Sequence, residues 1–211
     1  MKTDYKNKKR RTVINIGENV FMPPTAKITV PNFSIGDYSR INGPIVVRGR
    51  QDCVIGKYCA FGYNITVITT NHFIGKPNLQ VNMQRYYGFS DLEVSKGPVS
   101  IGNNVWIGDN VTILSGVAIA DGCVVGAGAV VNKDLPACSV SAGVPAKVIK
   151  YRFSQDVIDE FLKISWWNWP QDKIACNKKF FDTDLSKCKA ADLAKIIQGG
   201  RPCLKKKKKT I

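Results

Sequence analysis

Residues 101–136 read IGNNVW, IGDNVT, ILSGVA, IADGCV, VGAGAV and VNKDLP when they are divided into groups of six. An aliphatic residue opens every group, at Ile101, Ile107, Ile113, Ile119, Val125 and Val131. A period of six fits neither an amphipathic helix, which repeats about every 3.6 residues, nor a simple strand, which repeats every two. It is typical of a hexapeptide β-helix, in which each hexad forms one short strand and a corner. The stretch therefore predicts a solenoid of parallel strands.

The same repeat occurs in three shorter phases nearer the N-terminus. Their opening positions are Ile16, Met22 and Ile28, then Ile35, Ile41 and Val47, then Ile55, Phe61 and Val67. Glycine often follows the opening residue, where the absence of a side chain lets neighbouring backbones approach at a bend. Together the phases predict five or six coils, and they fit an antiparallel sandwich poorly.

Residues 69–98 lack hexads and separate two hexad regions. This segment contains His72, the only histidine of the chain, together with many polar and aromatic side chains. Long insertions in a regular architecture are often functional, and histidine can accept and donate protons near neutral pH. We therefore expect residues 69–98 to form the lid or wall of a substrate site, with His72 as a candidate general base.

Two segments after the repeats complete a resemblance to a known family. They are SAGVPAKVIKYRF at 141–153 and WWNWP at 166–170. With the hexads and the histidine in an inserted loop, they make residues 14–175 resemble the left-handed parallel β-helix acyltransferases. More narrowly, the chain resembles the xenobiotic acetyltransferases, which include hexapeptide-type chloramphenicol and streptogramin acetyltransferases. The resemblance implies an all-β solenoid, a left-handed parallel β-helix with an inserted loop and a C-terminal helical appendage.

The same resemblance implies an acetyl-CoA-dependent acetyltransferase that works as a homotrimer, with His72 as the catalytic base. The co-substrate would lie between adjacent solenoids. The positions that match the family's CoA contacts are Trp106, Asp109, Ala127, Lys133, Gly143, Lys147 and Lys150. Val144 stands where the family motif has asparagine, which puts a side-chain contact at that position in doubt. Each lysine could instead be a solvated surface charge.

The acceptor is less well specified by the sequence. The residues that we expect to contact it are Tyr38, Arg40, Asn71, Arg85 and Tyr86. Tyr38 could equally cover the solenoid surface. The leading expectation is a hydroxyl or amino group on a sugar or a nucleotide-linked sugar. The alternative within the same enzyme class is an antibiotic such as chloramphenicol or a streptogramin.

The net charge of +15 raises a different hypothesis, that of a non-catalytic scaffold that binds polyanions. Residues 1–11 carry a net charge of +5 and Lys205–Lys209 carry another +5, so most of the excess lies near the two ends of the sequence. Such runs usually mark solvated tails, and we expect no specific nucleic-acid site. The predicted organisation is a basic tail at 1–12, a β-helix domain at 13–150 with its insertion at 69–98, a helical segment at 151–200 and a Lys-rich tail at 201–211.

Seven cysteines show no CxxC pair and no spacing typical of metal ligands. We expect free thiols and no metal, in a soluble cytoplasmic protein without an integral membrane segment. Cys59 could be a nucleophile, but its place inside a hexad favours core packing. In the helical segment, we expect Ser154 to cap a helix and the tryptophans of WWNWP to pack against neighbours.

Overall fold

The computed structural model describes residues 11–198. Most of the basic tail predicted at 1–12, all of the Lys-rich tail at 201–211, and Cys203 within it lie outside the described residues. The chain divides into two compact units, one ending at Lys150 and the other beginning at Tyr151.

The first unit is a coil of short strands that stack into three sheets. Sheet 1 contains β1 (Val13–Ile16), β3 (Asn32–Ile35), β6 (Cys53–Ile55), β11 (Val99–Ile101) and β14 (Ala118–Ile119). Sheet 2 contains β4 (Arg40–Ile41), β7 (Ala60–Phe61), β12 (Trp106–Ile107), β15 (Val124–Val125), β17 (Ser139–Ala142) and β18 (Lys147–Tyr151). Sheet 3 contains β2 (Lys27–Ile28), β5 (Ile45–Arg48), β8 (Ile65–Ile68), β13 (Thr112–Ile113) and β16 (Val130–Val131).

The strand register confirms the solenoid that the hexads predict. The chain passes from sheet 1 to sheet 2 to sheet 3 in each coil, and strands of successive coils pair in parallel. Opening residues of equivalent hexads stack, as Ile55 does on Ile101 in sheet 1 and Phe61 on Ile107 in sheet 2. About six coils result, and their inward side chains form one continuous buried core.

The first coil departs from the predicted burial. Ile16 opens a hexad and was expected to point into the core, yet it is 53% exposed. In the next coil its register partner, Ile35, is 2% exposed. Among the described residues, β1 is the edge strand of sheet 1, so Ile16 is covered by a neighbouring coil on one side only.

Polar side chains at the corners tie each coil to the one before it. Asp121 Oδ1 accepts a hydrogen bond from the backbone N–H of Asn103 at 2.6 Å, and Asn103 Oδ1 accepts from the N–H of Lys57 at 2.9 Å. These bonds satisfy backbone donors that the short strands leave outside the sheets. Hydrogen bonds therefore join neighbouring coils at the corners as well as within the sheets.

The predicted insertion at 69–98 is an ordered excursion between β8 and β11. It contains the strand β9 (Asn71–His72), the helix α1 (Val81–Tyr86) and the strand β10 (Glu93–Val94). Lys76 Nζ donates to the carbonyl oxygen of Asp91 at 3.0 Å and to Ser90 Oγ at 2.7 Å. The buried Gln84 donates to the carbonyl oxygen of Ser90 at 2.9 Å. Side-chain hydrogen bonds thus hold the insertion in shape.

The second unit is helical. It contains α2 (Gln155–Ile164), α3 (Gln171–Cys176), α4 (Lys178–Asp182) and α5 (Ala190–Ile196), with 3₁₀ turns at Trp166–Asn168 and Leu185–Lys187. The rings of Trp167 and Phe161 pack edge to face with centroids 5.6 Å apart, and both side chains are buried. Ser154 occupies the predicted N-cap position of α2, but its side chain makes no cap hydrogen bond.

Within residues 11–198, no helix is long and apolar enough to cross a bilayer. The same part of the chain contains no group of three or more His, Cys, Asp or Glu residues arranged to hold a metal ion.

Candidate active site

The insertion presents His72 at the surface on a two-residue strand. β9 pairs antiparallel with β10, so His72 lies opposite Glu93. The imidazole Nδ1 lies 3.2 Å from the carbonyl oxygen of Leu79. A carbonyl oxygen can only accept, so this contact assigns the proton to Nδ1 and the lone pair to Nε2. The exposed ring therefore offers Nε2 as a proton acceptor.

Asn71 and Ser95 fasten the base of the insertion. Asn71 Nδ2 donates to Ser115 Oγ at 2.7 Å, which joins β9 to the corner between sheets 3 and 1 in the following coil. Ser95 Oγ donates to the carbonyl oxygen of Thr69 at 2.7 Å, which brings the two ends of the excursion together. The amide of Asn71, predicted to contact the acceptor, thus takes part in a hydrogen bond that fixes the strand carrying His72.

Arg85, predicted to contact the acceptor, is held in ion pairs within the first unit. Its Nη2 lies 2.6 Å from Glu93 Oε2 and 3.7 Å from Asp91 Oδ2. Arg50, from the turn that follows β5, pairs with the same two carboxylates. The guanidinium of Arg85 therefore already has anionic partners in the absence of an acceptor.

The solvent-facing surface of the insertion is rich in apolar and aromatic side chains. Ile74 is 83% exposed and Tyr86 is 62% exposed. The other large exposed hydrophobic side chains of the insertion are Phe73, Leu79, Met83, Tyr87, Phe89 and Val94. Soluble proteins usually expose apolar groups singly, and a contiguous set often marks a binding surface. The two tyrosine rings pack edge to face, with centroids 4.9 Å apart.

A groove of about 310 Å³ lies at the corner between sheets 2 and 3. Three of the predicted CoA-contact residues, Trp106, Asp109 and Ala127, line it. Trp106 is 58% exposed, so its ring is available to a ligand. A Cβ added to Gly108 would lie 2.6 Å from the backbone nitrogen of Ala127, so the close approach of these two coils requires glycine.

Gly143 belongs to the same corner one coil further on. The Gly126 N–H donates to the carbonyl oxygen of Ser141, which places Ala142 over Gly126, and the Gly143 carbonyl oxygen accepts from the Val130 N–H at 3.0 Å. Gly143 has a φ of +98°, a conformation that favours glycine. Asp109 and Ala127 therefore lie side by side in adjacent coils, and Gly143 lies beside the start of β16. Asp109 Oδ1 also accepts from the backbone N–H of Tyr63 at 2.8 Å.

The three predicted lysines lie on two segments of the first unit. Lys147 and Lys150 are exposed on β18, at the end of sheet 2. Lys133 is exposed two residues after β16, at the corner between sheets 3 and 1. The two segments meet, because the backbone N–H of Ala146, next to Lys147, donates to the carbonyl oxygen of Val130 in β16.

Tyr38 and Arg40, expected to contact the acceptor, have partners within the coils. The rings of Tyr38 and Tyr58 stack with centroids 5.1 Å apart, and both residues have a positive φ, at 60° and 55°. The Arg40 guanidinium lies 4.4 Å from the centroid of the Phe21 ring. These residues lie near the corner between sheets 1 and 2, not at the corner that carries His72.

His72 and the groove occupy different corners of the same chain. The groove lies where sheet 2 meets sheet 3, and His72 leaves the coil where sheet 3 meets sheet 1. Asn110 and Ser115, which flank the intervening strand of sheet 3, are five residues apart, or roughly 15 Å in extended chain. One chain therefore does not place the predicted base beside the predicted CoA groove.

A larger cleft, of about 630 Å³, lies along sheet 1 and contains none of the predicted site residues. Its two carboxylates, Asp121 and Asp134, each accept a backbone N–H hydrogen bond from a neighbouring coil. Those carboxylates therefore join neighbouring coils through hydrogen bonds to the backbone.

Cys59 has the environment of a core residue. Its side chain is 2% exposed, and its thiol donates to the carbonyl oxygen of Gly102 at 3.1 Å. Burial raises the pKa of the Cys59 thiol to about 11. A nucleophilic cysteine requires the opposite shift, toward a thiolate near neutral pH.

Sequence reasoning did not identify Leu79 or Glu93 as neighbours of the site. The contribution of Leu79 is a backbone carbonyl, which every residue possesses and no sequence pattern reveals. Glu93 had one signal, because it lies eight residues from Arg85 and has the opposite charge. Only the antiparallel pairing of β9 with β10 places it opposite His72.

Comparisons with known proteins agree with this architecture. The family model for bacterial transferase hexapeptide (six repeats) matches residues 98–133. A chloramphenicol acetyltransferase of Morganella morganii is 31% identical over 166 residues, which cover 68% of this chain and 79% of that protein. A galactoside O-acetyltransferase of Escherichia coli K12 is 34% identical over 136 residues, which cover 64% of this chain and 62% of that protein.

A solved structure shares the same coiled architecture. The crystal structure of a hexapeptide-repeat-containing acetyltransferase of Vibrio cholerae, in complex with acetyl-CoA, superimposes with a TM-score of 0.53 at 28% identity. The match covers 64% of this chain and 69% of that one. The chain therefore belongs to the hexapeptide-repeat acetyltransferases, left-handed β-helix enzymes that use acetyl-CoA as the acetyl donor.

Proposed function

We propose that this enzyme transfers the acetyl group of acetyl-CoA to a hydroxyl group of an uncharged small molecule, with His72 as general base. Nε2 of His72 removes the hydroxyl proton while the acceptor oxygen attacks the thioester carbonyl carbon. The resulting tetrahedral oxyanion collapses, the C–S bond breaks, and the imidazolium returns its proton to the CoA thiolate. The observation that carries this proposal is the Nδ1 contact with Leu79, which leaves Nε2 as the acceptor.

The acceptor class is proposed from the surface of the insertion. Its exposed side chains are mostly aromatic or aliphatic, which favours an acceptor with a substantial apolar face. Arg85, the cation predicted to meet the acceptor, is already paired with Glu93. A neutral, partly apolar alcohol such as chloramphenicol is therefore the first candidate.

A sugar is the second candidate. The likeness to a galactoside O-acetyltransferase favours it, and a neutral sugar would need no cation in the loop. A nucleotide-linked sugar carries a diphosphate, which would compete with Glu93 and Asp91 for Arg85. We rank it below the neutral sugars for that reason.

The donor site is proposed to form between copies of this chain, in a homotrimer. Trp106, Asp109, Ala127 and Gly143 of one copy would hold the pantetheine arm, and Lys133, Lys147 and Lys150 would meet the phosphates. The separation of His72 from the groove within one chain supports this arrangement, because a neighbouring copy can supply the missing half. Light scattering should give three times the chain mass of 23.3 kDa, and a monomer would contradict the shared site.

The test compares thiol release from acetyl-CoA by the wild type, His72→Ala and His72→Gln. Separate pools would contain chloramphenicol and streptogramin A, neutral and amino sugars, and nucleotide-linked sugars. We expect the wild type to turn over one pool and both variants to lose about 10² to 10⁴ in kcat, the usual worth of a general base. Their melting temperatures should match the wild type, because His72 is exposed.

Other outcomes would redirect the proposal. Retention of most of the turnover by His72→Gln would contradict the base assignment. No turnover in any pool, together with polyanion binding that weakens steeply with salt and requires residues 1–11 and 205–211, would favour a scaffold that binds through its tails.

A further inference from the structure

A cluster of four charged side chains joins the insertion to the coils. Arg50 comes from the turn after β5, Arg85 from α1, Glu93 from β10, and Asp91 from the turn before β10. Arg85 Nη2 lies 2.6 Å from Glu93 Oε2, and Arg50 Nη1 lies 3.3 Å from Asp91 Oδ2. Arg50 also contacts Glu93 Oε2. Two cations and two anions thus balance across three segments of the chain.

Glu93 is the centre of this cluster. Both guanidinium groups contact the same oxygen, Oε2, of its carboxylate. Its side chain is 21% exposed, the least of the four. Asp91 has a further role, because its Oδ1 accepts from the backbone N–H groups of Leu92 and Glu93 and so shapes the turn into β10.

A closed series of contacts connects His72, α1 and Glu93, which we call the His72 contact ring. The imidazole Nδ1 bonds to the Leu79 carbonyl, which immediately precedes Gln80, the N-cap residue of α1. Near its other end α1 carries Arg85, which contacts Glu93. Glu93 lies opposite His72 in the β9–β10 pair, and the hydrogen bond from the Phe73 N–H to the Leu92 carbonyl holds that pair in register.

Arg50 connects the His72 contact ring to the solenoid. Its backbone N–H donates to Thr70 Oγ1 at 2.6 Å, at the point where the insertion leaves the coil. Its side chain reaches Asp91 and Glu93, at the point where the insertion returns. The same residue therefore contacts both ends of the excursion.

We propose that Glu93 is a positioning residue for the transfer reaction, which holds α1 and the β9–β10 pair in register so that the Leu79 carbonyl keeps the His72 proton on Nδ1. Without the Glu93 charge, Arg85 keeps only its longer contact of 3.7 Å with Asp91, in the turn before the strand opposite His72, so α1 is tied to that strand less closely. The carbonyl and the imidazole then lose their fixed separation, and the ring samples both tautomers and other rotamers. Glu93 touches neither substrate nor the reacting atoms.

This inference rests on the proposed role of His72 as base, but its test does not depend on that role. His72 is the only histidine of the chain, so nitrogen-15 labelling of histidine gives one imidazole whose two nitrogen resonances report its tautomer directly. The variants are Glu93→Gln, which removes the charge at nearly constant size, and Glu93→Asp, which keeps the charge. All spectra would be taken on the untagged full chain at a pH at which the imidazole is neutral.

Lys57→Gln provides a matched control. Lys57 Nζ lies 3.1 Å from Asp37 Oδ2, and the side chains of this pair are 39% and 33% exposed, similar to Arg85 and Asp91. The pair lies at the corner between sheets 1 and 2, which carries neither His72 nor the groove. Loss of this ion pair should leave both the tautomer and the kinetics unchanged.

We expect the wild type and Lys57→Gln to show a predominantly Nδ1-protonated ring, and Glu93→Gln to show a mixture of tautomers. The kcat of Glu93→Gln should fall about 10- to 100-fold, as for a misplacement on the order of 1 Å. Its KM for acetyl-CoA should stay within twofold, because none of the residues proposed to hold acetyl-CoA belongs to the insertion. Glu93→Asp should recover part of both the kcat and the tautomer preference.

Two results would overturn the inference. One is a folded Glu93→Gln whose tautomer and kcat match those of the wild type. The other is a lower KM for an anionic acceptor in Glu93→Gln with unchanged kcat, which would make Glu93 a competitor for Arg85. If His72→Ala retains turnover, the base assignment fails by itself, and the spectra still decide whether Glu93 orients the ring.

Discussion

The regular coils and the insertion at 69–98 are stabilised in different ways. In the coils, parallel backbone hydrogen bonds and a continuous aliphatic core hold each strand, and equivalent residues stack from one coil to the next. In the insertion, Leu92 is the only fully buried large side chain, and ion pairs and side-chain hydrogen bonds join its segments to one another. The coils provide a rigid frame, whereas the insertion places polar groups where no repeat dictates them.

The largest expected effect on stability is in the coils. Ile107 is fully buried and opens a hexad in the middle of sheet 2. Ile107→Ala should reduce the free energy of unfolding by about 2–5 kcal/mol, through lost burial and the cavity that remains. Denaturant titration with circular dichroism measures this change. A loss below about 1 kcal/mol would show that the solenoid relaxes around cavities and is less rigid than its core implies.

A smaller effect is expected at the corner between sheets 1 and 2. If Tyr38 and Tyr58 serve the coils, a double-mutant cycle with Tyr38→Ala and Tyr58→Ala should give a coupling of about 0.5–1.5 kcal/mol in unfolding. The KM for the acceptor should not change. A raised KM for the acceptor, without a coupling energy between the two tyrosines, would favour the acceptor contact that the sequence predicts for Tyr38.

The insertion should respond in the opposite way to the loss of an aromatic ring. Tyr86 is 62% exposed, so Tyr86→Ala should change the free energy of unfolding by less than about 0.5 kcal/mol. The KM for the acceptor should rise about tenfold, as expected when a contact of about 1.4 kcal/mol is lost. Steady-state kinetics with the preferred acceptor measures it. An unchanged KM with a lowered stability would assign Tyr86 to packing and weaken the contrast between the two regions.

The fold could be predicted in detail because the repeat is local. Every coil has the same requirement, a hydrophobic side chain pointing inward at the opening position of each hexad. The sequence meets it from Ile35 to Val67 and again from Ile101 to Val131, on either side of the insertion. The error at Ile16 arises from position in the stack, since the repeat is correct there but no coil covers its outer side among the described residues. Ser154 likewise marks the start of α2 without making the cap hydrogen bond that its residue type suggested.

The candidate site could be predicted only in part. Trp106, Asp109 and Ala127 come together because Trp106 and Asp109 flank one corner and Ala127 lies at the same corner of the next coil. The partners of Arg85 could not be predicted from its residue type, because a guanidinium suits an acceptor phosphate and a neighbouring carboxylate equally well. Glu93 contacts the Arg85 guanidinium in the folded chain, where β10 pairs with β9.

The sequence by itself determined the solenoid, the place of its interruption, and the family, because periodic burial and a single histidine are properties of residue order. The tertiary structure decided which corners His72 and the groove of Trp106 occupy. It also decided that the Leu79 carbonyl contacts Nδ1 of His72 and that Arg85 pairs with Glu93. These properties depend on contacts between residues from different coils or different strands. Such contacts arise only when the chain has folded, and no local pattern encodes their distances.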